Sequence, residues 1–369
     1  MHTFSTQTLV FALTGATLVA QERPNVFNPD ITLFGNFVGR LDDRSVTNDD
    51  GDLIDDRFNL RETELSFSAA VDPFTDAKVT LTAESELPGE FEVGIEEGYV
   101  TFKKLPGFEQ MPWGLRFDVG RFRPSFGSYN RLHTHDLPHV TRPYSLQTFL
   151  GHEGFVQNGV NAAMNLPSPG EDFALGLDVA FLNGGDIAVA SGNEGEDAAG
   201  LGRLNAYYEW GEGHGVEVGG SVFHGRRDLM GTANANLYGV DFAYLWQPFT
   251  ASEVSSVVVG GEAYYADLEN SGMASSSPWG GFFYGQYQAD QNLYFGGRYD
   301  YTEDLADDTL ETRSFSAFAT FYTSEFNRVR LGWERFQSDV PSMDGLDTLF
   351  IEFNFVIGAH PPHPYWVNR

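Results

Sequence analysis

The chain has 369 residues, no cysteine, and 22 Lys and Arg against 52 Asp and Glu, a formal net charge of -30. That balance repels phosphate backbones and excludes nucleic acid as a partner, while the missing thiols exclude disulfides, thiolate catalysis and cysteine-bound zinc. Acidity alone would point to disorder, but 32 Phe, 16 Tyr, 6 Trp and 41 Gly describe a folded chain rich in aromatics.

Residues 1–20 hold an apolar run, Leu9 to Ala20, followed by Gln21, Glu22, Arg23 and Pro24, and read as an export signal cleaved near Ala20. No later run approaches the roughly 18 apolar residues of a membrane helix. A transmembrane strand, however, needs only about 9–11 residues with every second one apolar. From Asn28 onward that alternation recurs. Leu65, Phe67, Ala69 and Val71 oppose Glu62, Glu64, Ser66 and Ser68; Asp72-Pro73-Phe74-Thr75 makes a turn; Ala77, Val79, Leu81 and Ala83 then oppose Lys78, Thr80, Thr82 and Glu84. Phe173 to Phe181, Leu204 to Trp210, Tyr238 to Trp246, Phe315 to Phe321 and Leu349 to Ile357 repeat the pattern.

Such segments begin near residues 30, 59, 76, 93, 114, 155, 172, 201, 215, 237, 256, 279, 292, 312, 328 and 348. Short links such as 72–75, 167–172 and 211–215 alternate with long acidic ones such as 41–57, 123–154, 183–200 and 302–311. The predicted fold is all-β: a transmembrane antiparallel up-and-down barrel of about 16 strands, with 14 or 18 as alternatives. It occupies residues 21–358, and 359–369 form a C-terminal tail. A soluble sandwich also alternates, but its strands average about 5–6 residues. Here Tyr208, Trp210, Tyr244, Trp246, Tyr264, Tyr265, Tyr299, Tyr301 and Trp333 end the apolar rows, as expected at a membrane–water boundary. Gly176, Gly219, Gly239, Gly260, Gly296 and Gly332 face inward by parity and are expected to leave the interior roomy.

Asn28-Pro29-Asp30-Ile31, Arg61-Glu62-Thr63-Glu64-Leu65, Glu96-Glu97-Gly98-Tyr99-Val100 and the run from Gly120 to Gly159 carry a resemblance. Together they resemble a family of bacterial outer-membrane barrels related to phosphate-selective porins, often labelled "zinc-regulated TonB-dependent outer membrane receptor". The resemblance implies an outer-membrane barrel without a plug domain, since a plugged receptor of about 22 strands exceeds this length.

By parity the lumen holds the acids Glu62, Glu64, Glu84, Glu97, Asp118, Asp178, Glu209, Glu217, Asp241, Glu262, Asp300, Glu334 and Glu352 and fewer bases, Lys78, Arg116, Arg203, Arg298 and Arg330. At the least this is a solvated, partly ion-paired wall. As a pore lining it favours cations over anions, and arginines clustered against acids set a transverse field at a constriction. The link Arg123–Gly154 is too long and aromatic to be idle and is expected to fold inward. Within it, His133, His135, Asp136 and His139 are the ligand types that zinc or another divalent ion takes; the plainer alternative is hydrogen bonding within the loop. No other cofactor is expected. No nucleophile elbow, phosphate loop or His-Glu-x-x-His helix occurs, so no enzyme is expected either. The reading is a porin-like channel in a bacterial outer membrane, surrounded by lipid, passing small hydrophilic solutes with a preference for cations, as a monomer or homotrimer. The alternatives are a structural or adhesive barrel with a blocked lumen, and divalent-metal uptake through the histidine loop.

Overall fold

An extended segment entering hydrocarbon needs hydrogen-bond partners on both edges, and a sheet closed on itself provides them for every strand. The computed structural model, which describes residues 29–47, 53–54, 58–85, 91–108, 110–193, 197–248, 254–270 and 274–359, is such a closed sheet. Residues 1–20, read as an export signal, and the tail beyond Ala359 lie outside the described residues. In chain order come β1 (Asp30–Asp42), the small hairpin β2 (Val46–Thr47) and β3 (Leu53–Ile54), β4 (Phe58–Ala70), β5 (Thr75–Glu84), β6 (Glu92–Phe102) and β7 (Arg116–Phe122). One helix, α1 (Tyr144–Leu150), precedes β8 (Gln157–Leu166), β9 (Phe173–Asn183), β10 (Ala198–Trp210), β11 (His214–Arg226), β12 (Asn234–Trp246) and β13 (Ser256–Leu268). β14 (Trp279–Asp290), β15 (Leu293–Glu303), β16 (Glu311–Ser324), β17 (Asn327–Ser338) and β18 (Asp347–Gly358) complete the chain. All but β2 and β3 belong to one sheet of antiparallel neighbours, and β18 returns to β1 from Thr32–Gly358 to Asp42–Thr348, closing a 16-stranded barrel.

A 13-residue strand such as β12 is about 43 Å long. Tilted by about 40°, it rises about 33 Å, enough to cross a hydrocarbon core of about 30 Å. Short and long links mostly alternate between the two ends, but the β6–β7 link, 103–115, and the β12–β13 link, 247–255, are longer than the β5–β6 and β11–β12 links at the other end. The first short turn is fixed by Asp72, whose Oδ1 accepts the backbone N–H groups of Phe74 (2.7 Å) and Thr75 (2.8 Å). The outer face carries the predicted apolar rows: Val179, Phe181, Val218, Val240, Phe283 and Leu331 are all at least half exposed. Tyr208, Trp210 and His214 stack in sequence on that surface at the short-turn end. Tyr264 departs from the expected girdle. It follows Ala263 and precedes the outward Tyr265, so strand parity turns it inward, where it is buried and its hydroxyl donates to Glu262 (2.5 Å).

The ladder register shifts at four places among the described residues, and two of these bulges involve charged residues of the inner wall. Asn36 pairs with Glu62 but Phe37 with Leu60, which leaves Arg61 unpaired; Thr80 pairs with Glu97 but Leu81 with Ile95, which leaves Glu96 unpaired. An extra residue in one strand re-aims its side chain, so Arg61 joins Glu62 and Glu96 joins Glu97 on the inner side.

The interior is filled rather than roomy. Glycine on the inner wall makes space for other side chains: a Cβ on Gly239 would lie 2.7 Å from the Phe126 ring, and one on Gly332 would lie 2.8 Å from Val140. Both partners belong to the link between β7 and β8. A charge at mid-height on the outer face should be costly: Val240→Arg is expected to lower unfolding stability in lipid vesicles by about 2–4 kcal/mol, read from urea titration.

Candidate functional site

The connection from Arg123 to Val156 folds into the lumen, as its length led us to expect. Of these residues only His152 is well exposed. One side of the loop is apolar: Phe126, Leu137, Leu146, Phe149, Leu150 and Phe155 are completely buried. They pack in one cluster with Phe223 of β11, Tyr264 of β13, Phe282 and Tyr284 of β14 and Tyr294 of β15. Specific ring contacts are Phe155 on Phe223 (5.8 Å), Phe149 on Tyr264 (5.5 Å) and Tyr129 on Phe282 (4.8 Å).

The other requirement is polar. Irregular backbone buried away from water must find partners for its carbonyls, and between His135 and Thr141 these come from arginines on the strands. Arg328 donates to the His135 carbonyl. Arg330 donates to Leu137 and His139 (both 2.8 Å), Arg61 to Val140 (2.8 Å) and Arg298 to Thr141 (2.5 Å). Carboxylates hold these arginines in turn: Arg298 pairs with Asp300 (2.6 Å) and Glu334 (2.7 Å), Arg330 with Glu352 (2.8 Å). On β13, Glu262 Oε1 accepts the N–H groups of Ser128 and Tyr129, each at 2.7 Å. Asp300 also accepts the Ser145 hydroxyl at 3.1 Å.

The residues expected to line a pore divide into four sets, one of which, Glu62, Glu64 and Glu97, faces the loop histidines described below. Glu262, Arg298, Asp300, Arg330, Glu334 and Glu352 are buried and tie down the loop. Arg203 pairs with Asp241 (2.6 Å) and lies 3.5 Å from Glu217, while Asp178 accepts from Ser125 of the loop (3.2 Å). Lys78, Glu84, Arg116, Asp118 and Glu209 keep partial solvent contact. Asp118 accepts from Thr101 (2.6 Å), whereas Arg116 makes no ion pair among the described residues and so stands outside the arginine–acid clusters.

The four loop residues expected to bind a metal do not come together. His133 and His135 do, with ring centroids 5.5 Å apart, facing glutamates of β4 and β6. His133 Nδ1 lies 3.1 Å from both Glu64 and Glu96, and its Nε2 3.1 Å from Glu97. Burial would lower its pKa, but the Glu64 and Glu96 carboxylates prevail and hold it well above 6.5. Glu97 also pairs with Lys78 (2.5 Å) and Glu96 with Arg123. Asp136 sits at the margin, one-third exposed and 3.7 Å from His135 Nε2. His139 lies elsewhere: its Nδ1 donates to the Thr141 carbonyl (2.6 Å), and burial, reinforced by Arg298 and Arg330, keeps its pKa well below 6.5. A histidine between two guanidinium groups is a poor cation ligand, and His139 and Asp136 leave the metal set for that reason and for distance. Glu62, Glu64 and Glu96 replace them.

Parity alone could not find Glu96 or Arg61, because each occupies a bulge. Arg328 was findable, since it shares the inward parity of Arg330.

No protein-family model matches the chain. A protein of Aquifex aeolicus (strain VF5), described as uncharacterized, is 27% identical over 410 residues, covering 95% of this chain and 83% of its own length. Among solved structures, the outer membrane channel DcaP of Acinetobacter baumannii superposes with a TM-score of 0.57 at 11% identity, covering 89% of this chain and 97% of its own. The anion-selective porin of Comamonas acidovorans gives 0.56 at 11% identity, covering 89% and 100%. These likenesses establish the fold of porin-type barrels. The phosphate-porin and TonB-receptor resemblance is not carried further by them. Closure, strand height and the apolar exterior place the chain in the bacterial outer membrane.

Removing one partner of a buried ion pair leaves the other uncompensated, at a cost of about 3–5 kcal/mol. Arg330→Met should thus destabilise the folded barrel by that order in urea titration and expose residues 135–141 to protease. His139 gives a pH dependence. Its folded pKa lies below the unfolded value near 6.5, so its contribution is full above that pH and declines as pH falls toward the folded value. Hydrogen-exchange protection of the loop amides, taken relative to the intrinsic exchange rate at each pH, should fall on acidification below about pH 6.5, and His139→Gln should flatten that response.

Proposed function

We propose that this protein is a porin-like outer-membrane channel, with the inward-folded 123–156 loop as its constriction, through which small hydrophilic solutes diffuse passively. The observation that carries the reading is a long loop fastened by buried charges inside a transmembrane barrel, which sets bore without a separate domain. Passage runs along those parts of the β5–β7 wall where Lys78, Glu84, Arg116 and Asp118 keep solvent contact, beside the Glu96 and Glu97 positions that Arg123 and His133 of the loop occupy; the wall from β13 to β18 is covered by the loop. Cation preference follows from the surplus of acid: the long connections add acidic groups such as Asp304, Asp307 and Asp308 to the mouth, where unpaired carboxylate attracts cations. The Comamonas relative in fold is anion-selective, so selectivity here rests on this chain's own charges. The reading of the wall residues as pore lining is narrowed to those four and Glu209.

A second reading has a specific observation behind it. Arg298, Asp300, Arg330 and Glu352 are at most 4% exposed, which favours a barrel closed at rest. Planar-bilayer recording separates the two. The channel reading expects small, steady single-channel conductance with a reversal potential toward the cation equilibrium under a salt gradient, and a larger conductance for Arg298→Ala. Silence from the wild type together with conductance from Arg298→Ala supports the closed barrel, and an anion-directed reversal potential overturns cation preference.

A further inference from the structure

The glutamate–histidine cluster between β4, β6 and the loop contains one set of donors that protonation and ion pairing leave incomplete. Around His133 the accounting closes: Glu64 and Glu96 face its Nδ1, Glu97 its Nε2, and Lys78 and Arg123 pair with Glu97 and Glu96. Around His135 it does not. His135 is 4% exposed and Glu62 5%, yet neither His135 Nδ1 nor Glu62 Oε2 makes a hydrogen bond of good geometry, and the two lie 4.0 Å apart. Glu64 Oε1 is 3.1 Å from the same His135 nitrogen. Unpaired polar atoms at this depth are costly, and His135 is the sole ion-pair contact of Glu62 among the described residues.

We infer that Glu62, Glu64 and His135 form a binding site for one divalent first-row transition-metal ion, which fastens the constriction loop to the barrel wall. The donor set, two carboxylates and one imidazole, suits zinc, cobalt or nickel better than calcium or magnesium, which take oxygen alone. Ligands about 2.1 Å from a tetrahedral centre stand about 3.4 Å apart, and one ligand atom from each of the three residues lies within 4.8 Å of the others, so a small inward rotation completes the site. Two carboxylates balance the ion's charge. The imidazole is already oriented: the Phe34 ring stacks on it at 4.0 Å, and its Nε2 faces the Asp136 carboxylate at 3.7 Å, the outer partner that metal-bound histidines usually have. The site joins a loop residue to β4 and holds whether or not the lumen conducts.

The test is cobalt titration of the folded full-length protein in detergent, followed by ligand-field absorption and equilibrium dialysis. The expected result is one equivalent bound saturably and displaced by zinc. Glu62→Gln and His135→Gln should each weaken binding by more than about tenfold, while His152→Ala, which alters the exposed histidine of the same loop, should leave it unchanged. X-ray absorption of the zinc-loaded wild type should give one imidazole nitrogen with oxygen neighbours, and this measurement decides the matter if either variant fails to fold. Absence of stoichiometric uptake, which is the outcome if Glu62 and Glu64 share a proton instead, overturns the site. So does binding that survives both variants, is lost in His152→Ala, or presents only oxygen ligands.

Discussion

Irregular backbone cannot lie inside a barrel unless its carbonyls are satisfied, and that constraint organises this protein. Residues 135–141 meet it with arginines carried on β4, β15 and β17, each arriving from a strand whose geometry is fixed by its neighbours. Acids that parity alone assigns to a free lining are needed to hold those arginines. Asp300, Glu334 and Glu352 are thus committed to structure before they contribute to a field in the lumen.

Buried charge of this kind is expensive to assemble and costly to break. It makes the loop position definite. The apolar cluster of Phe126, Phe149 and Phe155 supplies burial, but burial has no direction; the guanidinium–carbonyl bonds give the register. Inner-wall glycines serve the same purpose, since Gly239 and Gly332 are the recesses into which Phe126 and Val140 fit.

The barrel itself was legible from period-two alternation because the side-chain repeat of a strand is independent of which strand it pairs with. Each of the 16 expected segments corresponds to a barrel strand, with starts displaced by at most three residues. The inward acids were legible for the same reason. Tyr264 was misplaced because two adjacent tyrosines cannot both face lipid, and the amino-acid type does not say which one turns in. Glu96 and Arg61 were invisible because a bulge has no local signature here: it arises from the pairing of two strands.

Loop chemistry was the least readable. Four nearby metal-ligand types, His133, His135, Asp136 and His139, looked like one set, yet 3D contacts assign them to three different surroundings. Spacing in a chain constrains neighbours only where the backbone is regular, and between Arg123 and Val156 it mostly is not. Alternation and turn chemistry were enough to specify a membrane barrel with a charged interior and one long reentrant link. Which charges face water, which fasten the loop, and which histidine nitrogens are left unmet were settled by closure of the sheet, because those contacts join residues up to several hundred positions apart that meet only once β18 has returned to β1.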